Sequence, residues 1–329
     1  MRTFRALVAF ESDDGSFVRR IMERNIDDLP GHDTLIRVRY SSLNYKDALS
    51  ASGNRGITKQ YPHTPGIDAA GLIVESPEFP EGEEVIVAGH DLGMNIPGGF
   101  GEYVRVPSSW VLKRPEGLSL EQCMVYGTAG FTAGLSVSKL EACGVRPESG
   151  EILVTGATGG VGLLALVLLV KIGYRVVASS GKKEAFEFLN SMGAWDVIPR
   201  DSLPSGKPLL KGRWAGVIDT VGGEILVNAL KSTQYGGAVT CCGMVASSEF
   251  CTSIFPFILR GIGLHGIDAA QCAMDLRKEI WEKLSGKWKP DNLERLHVLC
   301  TLEDLDGKIE SMLSGKSTGR VVVSHQAPP

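Results

Sequence analysis

The rhythm of apolar and polar positions changes near residue 122. Before that point apolar residues come in short runs, at 6–10, 34–41, 69–75, 84–88 and 102–106. Gly82 precedes one run, Pro107 stops another, and no helical period separates them, which predicts an antiparallel, barrel-like or sandwich-like β unit. From residue 123 the pattern becomes strand, helix, strand. A helix is predicted over 122–137 despite Gly127, Gly130 and Gly134. Strands follow at 152–155, 175–179, 196–198, 216–219, 238–242 and 263–266, with helices at 163–172, 183–192 and 224–232 between them. Such alternation implies right-handed crossovers and a parallel sheet. Ile152-Leu-Val154 is apolar on both faces, as a buried parallel strand should be. A helix is expected at 275–284. After Pro290, strands near 297–301 and 320–324 flank a helix at 303–313 and are placed to return to the first unit. The expected architecture is α/β: a doubly wound parallel sheet in 123–290, and a mostly antiparallel β domain from 1–122 and about 291–329.

Composition narrows the function classes. The 329 residues are 43% hydrophobic and 22% charged, with net charge −4. That is ordinary for a globular protein and gives no basic field for nucleic acid. The longest apolar run, 161–170, ends at Lys171 and is too short for a bilayer. Acidic residues at 11, 13 and 14 follow the apolar N-terminal stretch without a small-residue cleavage site, so it reads as a first strand rather than a leader. Seven cysteines are scattered, none with C-x-x-C spacing, and Cys241 and Cys242 are adjacent in an apolar strand. Reduced, mostly buried thiols in a cytoplasmic protein are expected.

The most specific chemistry lies in Glu151–Gly162, where an apolar strand runs into Gly-Ala-Thr-Gly-Gly-Val-Gly and then an apolar helix. Ala157-x-Gly159-x-x-Gly162 is a dinucleotide fingerprint with Ala in the first glycine slot. Gly159 lets the backbone approach a pyrophosphate, and the helix directs free N–H groups at it. Forty glycines make the spacing alone weak; the flanking strand and helix strengthen it. The second strand runs into Ser179-Ser-Gly-Lys-Lys183 with no acid to accept from a ribose 2′-hydroxyl. Ser180, Gly181 and Lys182 instead offer a hydroxyl, an N–H and a cation to a 2′-phosphate, which points to NADPH. The bland alternative is a solvated helix start. Arg200, just after the third strand, is a further candidate for that phosphate.

Several motifs together resemble a known family: Ser41-Ser-Leu-Asn-Tyr-Lys-Asp47, Pro65-Gly-Ile-Asp68, Gly127-Thr-Ala-Gly-Phe-Thr132, the glycine turn, Ile218-Asp-Thr-Val-Gly222 and Pro256-Phe-Ile-Leu-Arg260. From about residue 4 to 324 the chain resembles the quinone oxidoreductase type of medium-chain dehydrogenase/reductase, and within it the acrylyl-CoA reductase subfamily. The resemblance implies a GroES-like catalytic domain, a Rossmann domain with the active cleft between the two, NADPH-dependent reduction of an activated C=C bond, and a homodimer. It implies Tyr45 near the nicotinamide, Thr158, Gly159, Gly160 and Val161 around the pyrophosphate, Ser180–Lys182 and Arg200 at the adenosine phosphate, and Met244 and Ile258 flanking the nicotinamide. Zinc-dependent relatives keep a Cys within the stretch held here by Asn44–Asp47 and a Gly-His-Glu where this chain has Gly66-Ile-Asp68, so no metal is expected. Arg55 stands where mitochondrial enoyl reductases carry a tyrosine, and the loop 90–97 is poor in aromatic residues.

The implied reaction sends a hydride to the β-carbon of an enoyl thioester while charge develops on the thioester oxygen. Asn44, Lys46 and Arg55 are the candidate donors to that oxygen, and Tyr45, Lys46 or water the proton source. Thr128 and Thr132 either contact the cofactor or cap their helix. Asp68 reads as a structural carboxylate rather than a base, and His63 and His90 as ordinary loop histidines. Two alternatives stay open: a quinone or enone reductase with the same cofactor, and an NADPH-binding protein without turnover.

Overall fold

The computed structural model describes residues 2–203 and 206–326. Its chain divides into two units. The first begins with β1 (Thr3–Glu11) and β2 (Phe17–Asn25), a hairpin turned at Gly15. The weak alternation of β2 was not among the expected strands. There follow β3 (Thr34–Leu43), α1 (Tyr45–Ala51), β4 (Asp68–Glu75), β5 (Glu84–Ala88), β6 (Tyr103–Val106) and β7 (Leu112–Lys113). Next, α2 (Leu120–Ala142) is interrupted at Gly127, whose φ of 50° and ψ of −153° are not helical.

The second unit contains β8 (Glu151–Thr155), α3 (Gly160–Lys171), β9 (Arg175–Ser180), α4 (Phe186–Ser191), β10 (Asp196–Pro199), β11 (Trp214–Asp219), α5 (Gly223–Lys231), β12 (Thr233–Cys241), α6 (Phe255–Arg260) and β13 (Gly263–Gly266). After α7 (Met274–Ser285) the chain returns to the first unit with β14 (His297–Cys300), α8 (Leu302–Leu313) and β15 (Arg320–Ser324).

The first unit's main sheet runs β14-β15-β3-β4-β5-β7, with β6 also on β3. Only β14–β15 is parallel; the remaining pairs are antiparallel. Val321 sits opposite Leu43, so the last strand completes the same sheet as the third. The second unit's sheet is parallel throughout, ordered β10-β9-β8-β11-β12-β13. The chain leaves β8 outward to β10 and returns to β11. The reversal lies between β8 and β11, where open α/β sheets bind ligands. Ile152, Leu153 and Val154 of β8 are fully buried, each stabilising the sheet by about 1.5–3 kcal/mol.

The division between units differs from the sequence expectation. It falls between Thr128 and Ala129 rather than at 122, and Ala270–Lys278 belongs with the first unit. The cause is hydrogen bonding: Thr128 donates to Asp68, Arg320 donates to Val125, and Arg277 donates to the carbonyls of Ala88 and Ala270. Residues 327–329 of the expected domain lie outside the described residues. None of the seven cysteines forms a disulfide, but only Cys123 and Cys300 are buried, fewer than expected.

Candidate functional site

In the second unit the glycine turn lies at the C-terminal end of β8. Gly156 has φ +59°, and a β-carbon there would come within 2.3 Å of Thr220 Oγ1. A β-carbon at Gly162 would lie 2.4 Å from the Gly156 carbonyl oxygen, so α3 packs onto the turn only with glycine at that position. At Gly159 the nearest atom would be that same oxygen at 3.3 Å, leaving this side of the turn open. Ala157 N–H donates to the Ser179 carbonyl. Among the described residues, the N–H groups of Gly160, Val161 and Gly162 meet no protein acceptor, as the first turn of a helix requires. With the positive end of the α3 dipole behind them, they suit a bound anion.

The end of β9 faces the same turn. Ser180 is buried, its Oγ accepts from Lys182 N–H at 3.0 Å, and it lies 3.5 Å from Thr158 Oγ1. Arg200 follows β10, whose Pro199 is in register with Ser180. Its guanidinium lies against Gly181, 3.3 Å from where a β-carbon would stand. The structure thus gathers Ser180, Gly181 and Arg200, with Lys182 next in the chain. Burial lowers the Lys182 pKa, against the pull of Glu184. Met244, in the loop after β12, and Ile258, on α6, are 63% and 65% exposed.

Sequence reasoning missed the latch beneath the turn. Thr155 Oγ1 donates to Asp219 Oδ1 at 2.7 Å and accepts from Thr220 N–H, while Thr220 Oγ1 donates to the Thr155 carbonyl. Asp219 Oδ2 accepts from Gly222 N–H at 2.8 Å. The signal was an acid in an otherwise apolar strand, Ile218-Asp219, where burial raises its pKa.

In the first unit, β3 runs directly into α1. Asn44 caps that helix, and Tyr45 and Lys46 on its first turn are exposed, Tyr45 by 45%. Asp47 is fully buried; Oδ2 accepts from Asn44 N–H at 2.7 Å, and Oδ1 from Gly66 and Ile67 N–H. Burial and then the Asp68 charge push Asp47 up to about 7, against those donors.

Asp68, at the start of β4, accepts from Ser42 Oγ, Asn44 Nδ2, and both the N–H and Oγ1 of Thr128. A β-carbon at Gly127 would lie 2.4 Å from Asp68 Oδ2, which explains the glycine in Gly127-Thr-Ala-Gly and the interruption of α2. Thr128 therefore spends both its donors on Asp68. Asn44 Oδ1 accepts from Arg320 at 3.2 Å. Arg320, which sequence reasoning passed over, is buried at the start of β15.

Arg55 is engaged apart from this group. Its guanidinium bonds Glu11 and the Lys59 carbonyl and lies over the rings of Phe17 and Tyr61. His63 is buried, and His90 stacks on Trp110 with centroids 4.9 Å apart; burial and Arg277 hold His90 down at about 4. Among the described residues, no three His, Cys, Asp or Glu side chains gather as metal ligands, and no helix is long and apolar enough to cross a membrane.

Comparison with known proteins agrees with this fold. Residues 30–116 match the family described as alcohol dehydrogenase GroES-like domain, and 160–285 the family described as zinc-binding dehydrogenase. A Bacillus subtilis (strain 168) protein, YhfP, which carries a quinone oxidoreductase name, is 45% identical over 97% of this chain and 98% of its own. The acrylyl-CoA reductase AcuI of Ruegeria pomeroyi is 37% identical over 98% of this chain and 100% of its own. The crystal structure of the Salmonella enterica yhdH oxidoreductase in complex with NADP superposes with a TM-score of 0.95 at 38% identity, covering 98% of this chain and 100% of that one. The structure of Bacillus subtilis yhfP with NAD bound superposes equally well, with a TM-score of 0.95 at 43% identity and the same coverage.

Proposed function

The chain belongs to the medium-chain dehydrogenase/reductase superfamily, and from that premise we propose that it reduces the C=C bond of a short-chain 2-enoyl thioester, acrylyl-CoA to propionyl-CoA, without a metal. It is an NADPH-dependent oxidoreductase. The thioester reading is carried by full-length similarity to an acrylyl-CoA reductase. The residues present fit the cofactor: N–H groups of Gly160–Gly162 for the pyrophosphate, and Ser180, Gly181, Lys182 and Arg200, with no acid among them, for the 2′-phosphate.

When bound, NADPH supplies a hydride for the β-carbon. The protein's part is to hold donors where charge gathers on the thioester oxygen, each worth a few kcal/mol of barrier. Asn44 spends its amide on Asp47, Asp68 and Arg320, and Arg55 is held by Glu11 and Lys59. Donation to substrate therefore falls to Tyr45 and Lys46, exposed on α1. Either side chain, or water, delivers the proton to the α-carbon. Asp47 and Asp68 spend their oxygens accepting N–H and O–H bonds from within the chain, so neither is disposed as a metal ligand.

The name of YhfP favours a second reading, quinone or enone reduction with the same cofactor. Comparing kcat/KM for acrylyl-CoA, crotonyl-CoA and a simple quinone with NADPH decides between them. A preference of tenfold or more for acrylyl-CoA is expected; equal or better use of the quinone overturns the thioester reading. NADPH binding without turnover of any of the three would leave a binding protein. A homodimer is also proposed, because β13 is an open sheet edge with Ile254, Phe255, Ile258 and Leu259 exposed on and beside α6. Seven cysteines without a disulfide support a reducing, cytoplasmic setting.

A further inference from the structure

Three charged side chains lie buried beneath the first turn of α1. Asp47 and Asp68 are fully enclosed and Arg320 is 2% exposed. Arg320 forms no direct ion pair with either acid; the three are joined through intermediaries. Its Nη2 donates to Ser42 Oγ at 2.8 Å, and Ser42 Oγ donates to Asp68 Oδ2 at 2.6 Å. Its Nη1 donates to Asn44 Oδ1 and the Leu43 carbonyl, both at 3.2 Å. Asn44 Nδ2 in turn donates to Asp68 Oδ2 at 2.7 Å and to Asp47 Oδ2 at 3.2 Å. The remaining Arg320 donor, Nε, reaches the Val125 carbonyl at 2.9 Å, two residues before the break at Gly127. One guanidinium thus ties β15, the β3–α1 junction and α2 together, and through Ser42 it reaches β4.

The geometry points to Arg320, Asp68 and Asp47 as positioning residues for the reaction: a buried relay that grips Asn44 from both ends and so fixes Tyr45 and Lys46, the next two residues, on the rim of the unit. This rests on the reading of Tyr45 and Lys46 as the groups that meet substrate. Both amide atoms of Asn44 are used, so its rotation is blocked, and the backbone of residue 44 is held a second time by Asp47. Three buried charges are costly unless every donor and acceptor is matched, so a fold that keeps them gains a unique arrangement rather than bulk stability. The rest of α1's buried packing is uncharged: Ala48 and Ala51 share a cluster with Leu7, Leu43, Leu302, Leu305 and Ile309, and Ser50 is hydrogen-bonded to Thr58 and Tyr61. The charged groups acting on Asp47 are therefore Asp68 and Arg320. Ionised, Asp47 accepts from four N–H groups; protonated, its hydroxyl would face donors only, and the grip on residue 44 loosens.

Arg320→Lys tests the relay, because an ammonium keeps the charge but loses the planar fork. Two measurements are paired. Hydrogen exchange at residues 45–51, read without substrate, should accelerate at least tenfold over wild type, with exchange in β8 and α3 unchanged. With NADPH and whichever acceptor the wild type turns over, kcat should fall tenfold or more while KM for NADPH stays within twofold. In Asp47→Asn, the decline of kcat below about neutral pH should disappear. A folded Arg320→Lys protein with unaltered exchange in α1 and kcat within twofold overturns the proposal; so does an Asp47→Asn protein that keeps the wild-type pH profile. If Arg320→Lys does not fold, Ser42→Ala removes one link in place, and the same pattern is expected at two- to fivefold. Failure of the thioester reading alone would change which acceptor is used and leave the exchange result intact.

Discussion

Lys182 tests the phosphate contact at the scale of one side chain. A carboxylate placed there would face the 2′-phosphate beside Ser180 and Arg200. Lys182→Glu should raise KM for NADPH at least tenfold and change KM for NADH by less than threefold; equal losses for both would remove the assignment. The comparison matters because one similar protein was crystallised with NADP and another with NAD. Gly127 makes a different demand. Its φ is positive, and a methyl group would collide with the Asp68 carboxylate and Ser42 Oγ. Gly127→Ala should cost about 2 kcal/mol or more, measured as a lower denaturation midpoint in urea with an unchanged slope.

Helix α1 shows how much the sequence disclosed. Asn-Tyr-Lys-Asp was readable as a motif, and an Asn three residues before an Asp is itself a helix-start signal. What sequence could not show is that Asp47 turns inward while Lys46 stays out, since α1 is only seven residues long and carries no long period. The parallel sheet was legible because each buried strand is apolar and bounded by glycine or polar turns. The hairpin strand β2, with Arg and Glu interleaved among apolar residues, was not. Arg320 was hidden for another reason: its partners Ser42, Asn44 and Val125 lie some two hundred residues or more away, and local pattern carries nothing about them. The inward turn of Asp47 has a measurable sign. Its pKa rises from 3.8 to about 7 on folding, so the folded chain holds a proton that the unfolded chain releases. Stability should therefore fall as pH rises from about 4 through about 7 and level off above. Asp47→Asn should flatten that decline in thermal melts; an unchanged slope would place the titration elsewhere.

For the molecule as a whole, the open β13 edge and its apolar neighbours predict self-association, and sedimentation equilibrium should return twice the chain mass of 35.3 kDa. Ile258→Asp should then shift the population toward monomer; a monomeric wild type would exclude the dimer. The return of the chain to its first sheet has a consequence for how the protein is made. All six strands of the parallel sheet exist once Gly266 is synthesised. The first unit waits for β15, and at ~5–20 residues per second the ribosome delivers Arg320 on the order of ten seconds or more after Thr128. Through that interval the nascent chain carries Asp47 and Asp68 without their counter-charge. A message cut short before codon 320 would yield a complete parallel sheet attached to a first unit that cannot close, a product that quality-control proteases should recognise.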